Sequence, residues 1–233
     1  MKSLMASLLA ITFITVSASV NAGVILGGTR VIYDGKAKET SLSIRNPDAR
    51  PYLIQSWLDE NGAAGEAKKK SKLPFIITPP LFRLEAKNEN LLRIIKTSGE
   101  LPSDRESVYW LNVKAIPSIN PTEANTLQIS IKSRIKFFYR PEGLEGKPED
   151  TYRSLQFKRN GDELVVSNPG PFYITFYKLE VGNTVIDTTD KMVPPKGSEH
   201  FRLPKTAGNQ DQVKWQAITD YGGISQAVNN TVK

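Results

Sequence analysis

Between Leu127 and Tyr139 the chain alternates apolar and polar residues with period two. Leu127, Ile129, Ile131, Ile135, Phe137 and Tyr139 share one parity, and Gln128, Ser130, Lys132, Arg134, Lys136 and then Arg140 take the other. A helix would scatter those apolar side chains around its circumference, whereas a strand sets them on one face. The run exceeds a dozen residues, against a usual strand of about five or six. A strand this long outruns its neighbours, and at a sheet edge it is an aggregation hazard unless something covers it. Two readings follow from the pattern: an ordinary core strand with a wet outer face, or an edge kept open to pair with another polypeptide.

The rest of the chain repeats the period on a shorter scale. Alternation marks strands at 29–33, 41–44, 52–58, 75–78, 91–95 and 108–113. No segment after residue 22 carries a sustained 3.6-residue apolar stripe, and prolines and glycines punctuate at short intervals. With the long run, that makes about seven strands before Pro141, the count of one immunoglobulin-like sandwich. A second set follows. Segments 155–158 and 164–167 flank the turn signal Asn160-Gly161, and 172–180 and 184–187 flank Gly182-Asn183. Segments 215–218 and 225–232 close the chain around Asp220-Tyr221-Gly222-Gly223. The stretch from Arg140 to Asp150 is rich in Pro, Gly and charge and reads as a linker. The expected fold is all-β, with immunoglobulin-like domains at 23–141 and 142–233.

Residues 1–22 stand apart. Lys2 precedes a mostly apolar run from Leu4 to Val16, and Val20-Asn21-Ala22 offers the small or aliphatic residues a signal peptidase reads. The run is too short to span a bilayer and is broken by Ser7, Thr12 and Thr15. It is expected to be a secretory signal peptide cut after Ala22. There is no cysteine and one histidine, His200. That excludes a Cys nucleophile, a disulfide scaffold and a zinc site of several Cys or His ligands. His200, between Glu199 and Phe201 in a strand-like stretch, reads as structural. Carboxylate-only hydrolysis survives on composition, but nothing sets two acids together. A sugar-binding sandwich would need an exposed aromatic platform, and Trp57, Trp110 and Trp215 all fall on expected core strands. The run Lys68-Lys69-Lys70-Ser71-Lys72 lacks neighbouring aromatics and reads as a solvated loop, not a nucleic-acid site.

One longer segment is more specific. In 101–117, the triplet Asp104-Arg105-Glu106 leads into an alternating strand from Val108, then Asn112 and a closing Ile116-Pro117. With Thr29-Arg30-Val31-Ile32-Tyr33-Asp34-Gly35, Thr78-Pro79-Pro80, Arg134 to Pro141 and Asp220-Tyr221-Gly222-Gly223, it resembles the periplasmic pilus-assembly chaperones over nearly the whole chain after residue 22. The resemblance is strong before Pro141 and thinner after it.

The resemblance implies two immunoglobulin-like domains in an L with a cleft between them. It implies pilus subunits as partners, each a sandwich lacking its last strand, and an outer-membrane usher that receives them. No nucleotide or other cofactor is implied, and the location is the periplasm. Leu127, Ile129 and Ile131 would fill the subunit's groove, and Arg30 and Lys136 would bind its C-terminal carboxylate. Glu106, Arg140 and Asp220 would tie the domains together. The short loop 117–126 and the lack of cysteine imply the family's short-loop branch. A free chaperone could cover its edge by self-association, and Thr78-Pro79-Pro80 could hold a cis peptide. The physics of such a partner is simple. An inserted strand satisfies unpaired backbone and exposed core together, and two cations on a terminal carboxylate fix its register.

Overall fold

The computed structural model describes residues 23–60, 62, 73–119 and 127–233. The expected signal peptide, the Lys68–Lys72 run and most of the 117–126 loop lie outside the described residues.

The chain builds two β-sandwiches, each around its own apolar core. The first contains β1 (Ile25–Leu26), β2 (Arg30–Asp34), β3 (Glu39–Arg45), β4 (Tyr52–Asp59), β5 (Phe75–Thr78), β6 (Leu81–Leu84), β7 (Glu89–Lys96), β8 (Ser107–Pro117) and β9 (Ile131–Arg140). They form one sheet in the order β1-β3-β7-β5 and another in the order β2-β9-β8-β4-β6. The ladder of β2 with β9 is parallel, and the other ladders of this sandwich are antiparallel. Alternation is obeyed: Tyr109, Leu111, Val113 and Ala115 of β8 enter the core, as do Phe137 and Tyr139 of β9. Phe75 sits at the centre, its ring 5.0 Å from that of Phe137 and 5.3 Å from that of Tyr109, both edge-on.

The second sandwich contains β10 (Gln156–Asn160), β11 (Glu163–Asn168), β12 (Phe176–Val181), β13 (Thr184–Val185), β14 (Gly197–Arg202), β15 (Gln212–Ala217) and β16 (Val228–Thr231). Its sheets run β10-β11-β14 and β13-β12-β15-β16. Both expected hairpins form, with Gly161 at φ +60° and Gly182 at φ +58°, values a side chain would resist. Trp215 anchors this core against Tyr152 and Phe176.

The structure departs from expectation in four places. First, the long strand is shorter: β9 starts at Ile131, and residues 127–130 have no ladder partner. Its neighbour β8 ends at Pro117, which has no N–H to offer, and Ala115–Ile131 is the last pair. Instead the Gln128 side-chain amide donates to the Pro117 carbonyl at 2.5 Å. Second, β1 and β6 have no counterpart among the expected strands, and β14 extends the strand-like stretch around His200. Third, the linker holds a short helix, α1 (Pro148–Thr151), and a 3-10 turn at Tyr152–Ser154 that carries Tyr152 into the second core. Proline at its first turn and the Asp150 carboxylate accepting from the Lys147 N–H at 2.7 Å explain its start. Fourth, two of the three tryptophans lie outside the cores: Trp57 is half-buried, and Trp110 is covered by side chains on the outer face of its sheet. The Thr78–Pro79 peptide is cis.

Candidate functional site

The opposite parity of β9 faces away from the first core, toward the second sandwich. There Lys136 has Arg30 beside it on β2 and Trp110 beside it on β8, each its direct cross-strand partner. Arg30 Nη1 donates to the Ile218 carbonyl at 3.1 Å, and its guanidinium lies 5.8 Å from the Phe138 ring centre. Its Nε is buried with no partner. Lys136 Nζ reaches only Thr175 Oγ1, at 3.5 Å, and hangs 5.9 Å from the Trp110 ring centre. No carboxylate touches either cation among the described residues. Burial pushes the Lys136 ammonium down to about 8, Arg30 adds to this, and Asp190 opposes it. Burial likewise lowers Arg30, against the pull of Asp220, Tyr152 and Glu106. Two adjacent, half-buried positive groups with spare donors form an incomplete electrostatic arrangement, and an anion completes it.

The neighbouring cations on the same strand differ. Arg140 Nε donates to Glu106 Oε1 at 2.8 Å, and its two terminal nitrogens hold Asp220 at 2.9 and 3.1 Å. Glu106, on the first sandwich, also accepts the Tyr173 N–H at 2.8 Å, so this carboxylate is held from both sides of the junction. Its side chain is 3% exposed. Burial pushes it up, and Arg140 and the Tyr173 N–H pull it back. Gly35 lies against the exit from β9: its N–H donates to the Arg140 carbonyl at 2.7 Å, and a Cβ there would meet the Glu142 nitrogen at 2.7 Å. Arg134 is satisfied within the first sandwich, with Nη2 at 2.7 Å from Asp59 Oδ1 and Nη1 at 2.8 Å from Asn112 Oδ1. Its guanidinium also lies against Trp110, 5.0 Å from the ring centre.

The apolar parity of the long run divides in two. Phe137 and Tyr139 are in the first core, whereas Leu127, Ile129 and Ile131 are 84%, 65% and 56% exposed. The edge divides at the same place. β2 covers β9 only from Lys136 to Arg140, so Ile131 to Ile135 have β8 on one side and no strand on the other among the described residues. Exposed large apolar side chains, an open ladder edge and an unneutralised cation pair thus follow one another from the segment that leads into β9 to its pairing with β2.

Residues 23–145 match the family described as "Pili and flagellar-assembly chaperone, PapD N-terminal domain", and 150–228 match "Pili assembly chaperone PapD, C-terminal domain". The chain belongs to this family of pilus-assembly chaperones. It is a family of chaperones, not of enzymes. The chaperone is 45% identical over 213 residues to the probable fimbrial chaperone LpfB of Escherichia coli O157:H7, covering 90% of this chain and 89% of that protein. It is 40% identical over 226 residues to the chaperone FimC of E. coli K12, covering 95% and 90%. Among solved structures, the complex of Salmonella enterica SafA pilin with the SafB chaperone matches at a TM-score of 0.78 and 37% identity, covering 90% of this chain and 96% of that one.

Sequence reasoning missed several residues that shape the chaperone's site. Thr175 and Ile218 come from the second sandwich, and nothing in their local sequence marks them. Trp110, Asn112 and Asp59 had a signal: Asn112 breaks an otherwise apolar stretch, and buried amides seek partners. His200 lies on the surface, its Nδ1 2.8 Å from Glu163 Oε2.

Proposed function

We propose that this protein is a periplasmic chaperone that captures pilus subunits by strand donation and passes them to an outer-membrane usher without ATP. In this reading Leu127, Ile129 and Ile131 enter the groove of a subunit that lacks its last strand. Arg30 and Lys136 bind the subunit's terminal carboxylate. Glu106, Arg140 and Asp220 hold the two domains, divided at residues 141 and 142, at a working angle. Residues 1–22 direct export and are removed.

The observation that carries the proposal is the succession from residue 127 through β9: three exposed apolar side chains, an open edge, then two adjacent cations without a carboxylate. It also fixes a direction. The edge beyond Lys136 is taken by β2, so a chain ending at Lys136 must arrive along residues 127–135, parallel to β9. Main-chain pairing there supplies affinity, and the alternate apolar side chains supply selectivity.

The test is co-purification with the cognate subunit from the periplasm. Arg30→Ala or Lys136→Ala is expected to leave the fold intact and weaken capture by about 2–5 kcal/mol, as when one partner of a desolvated charge pair is lost. A double variant that still co-purifies with its subunit would overturn the carboxylate assignment.

A further inference from the structure

Two residues upstream of Arg134 on the same outer face stands Lys132, and its direct partner across the antiparallel ladder is Lys114 of β8. Like charges directly opposite one another weaken a sheet. Elsewhere on this face of β9 both arginines have acids: Asp59 for Arg134, and Glu106 and Asp220 for Arg140. The lysine pair has none. Among the described residues neither lysine makes an ion pair or side-chain hydrogen bond, and the residue facing Lys114 on its other side is Gln55, which is uncharged. Lys132 is exposed and Lys114 half-exposed. Lys132 also borders the open edge of β9, so a strand laid on that edge becomes its next neighbour.

We propose that Lys114 and Lys132 form a second anion site, one that takes an acidic side chain of the captured subunit upstream of its terminal carboxylate. The inference rests on the strand-capture reading above and deepens it. In parallel pairing the incoming chain advances in step with β9. With its terminus at Lys136, the residue opposite Lys132 lies about four positions earlier, and only one parity of that chain points to the outer face. The lysine pair therefore reads a side chain at a set distance from the terminus. It favours subunits with acid at that place and disfavours a one-residue slip, which would turn the acid toward the core face.

The experiment uses the full chain after removal of residues 1–22 and synthetic peptides of about eleven residues, alternating valine and serine and ending in a free carboxylate. A single glutamate, or a glutamine in its place, is moved through the third to sixth positions from the end. Wild type is expected to bind one glutamate peptide about fivefold more tightly than its glutamine counterpart at low salt, with the gap closing at high salt. In Lys114→Gln/Lys132→Gln the gap is expected to vanish while the glutamine peptides bind as before. That unchanged binding also shows that the variant is folded. Equal binding of glutamate and glutamine peptides at every position overturns the inference, as does a preference that survives in the double variant. An amide-capped peptide separates the two levels. If capping has no effect, or no carboxylate peptide binds, the anchor reading fails and this one with it. If capping abolishes binding but glutamate is never preferred, only the lysine-pair assignment fails.

Discussion

In the carboxylate-anchor role proposed for it, Lys136 meets opposite demands from folding and from capture. Its free-state value of about 8 lies below an ordinary lysine because burial and Arg30 disfavour its charge. Between that value and the ordinary one, the unfolded chain holds a proton that the folded chain has released. Stability of the free protein should therefore rise as pH climbs from about 8, because the unfolded state binds more protons there. Capture should fall over the same range, because the ligand's carboxylate needs the ammonium. Chemical melts and subunit binding across pH 7 to 10 check the opposed slopes, and Lys136→Met should flatten the lysine's part in both. This pair was found from family resemblance, not from residue pattern. In sequence Arg134 and Lys136 look alike, two cations of one parity. What separates them is Asp59, 75 positions away from Arg134, which neutralises one and leaves the other. No local pattern carries that information.

At the scale of the element, β9 and the four residues that lead into it are one backbone with two environments. Ile129→Ala should lower the stability of the free chaperone by less than about 1.5 kcal/mol, since an exposed site leaves no cavity. Phe137→Ala, only eight positions on and of the same parity, should cost about 3–5 kcal/mol. Denaturant melts of the two variants make the comparison, and an equal cost would place Ile129 in the chaperone's own core. Subunit capture should respond in the reverse order, and Ile129→Lys should abolish it by carrying a charge into an apolar groove. The alternation was legible and identified the strand and its two faces, but not the strands it pairs with. The point where pairing stops was not, because it depends on where β8 runs out at Pro117. Short β1 and β6 escaped for a similar reason: segments of two and four residues are too brief to establish a period.

For the whole molecule, the Glu106–Arg140–Asp220 cluster is the charged tie between the sandwiches, and Gly35 packs against the backbone where β9 passes into the linker. Arg140→Ala should be the costliest change in the cluster, about 3–5 kcal/mol, because it leaves the buried Glu106 carboxylate without its cation. Asp220, a quarter exposed, should matter less, about 1 kcal/mol or below when changed to Ala. Scattering profiles should broaden for Arg140→Ala, and curves that superimpose on the parent would mean the cluster does not set the angle. Gly35→Ala should shift the same profile, since its Cβ has no room beside the backbone at 140–142. Two sandwiches were readable from strand counts and turn signals. Their mutual placement was not, because contacts such as Arg30 to Ile218 join residues 188 positions apart.

The open edge of β9 also sets how this protein must be supplied. A folding enzyme processes many molecules in succession, but a strand that fills a partner's core is occupied for as long as that partner stays. Protection is then stoichiometric: each subunit awaiting assembly holds one chaperone, and the pool of vacant strands is a finite reserve. Once subunits outnumber vacant strands, the surplus goes unprotected, and its fraction should depend on the ratio of the two proteins and very little on time.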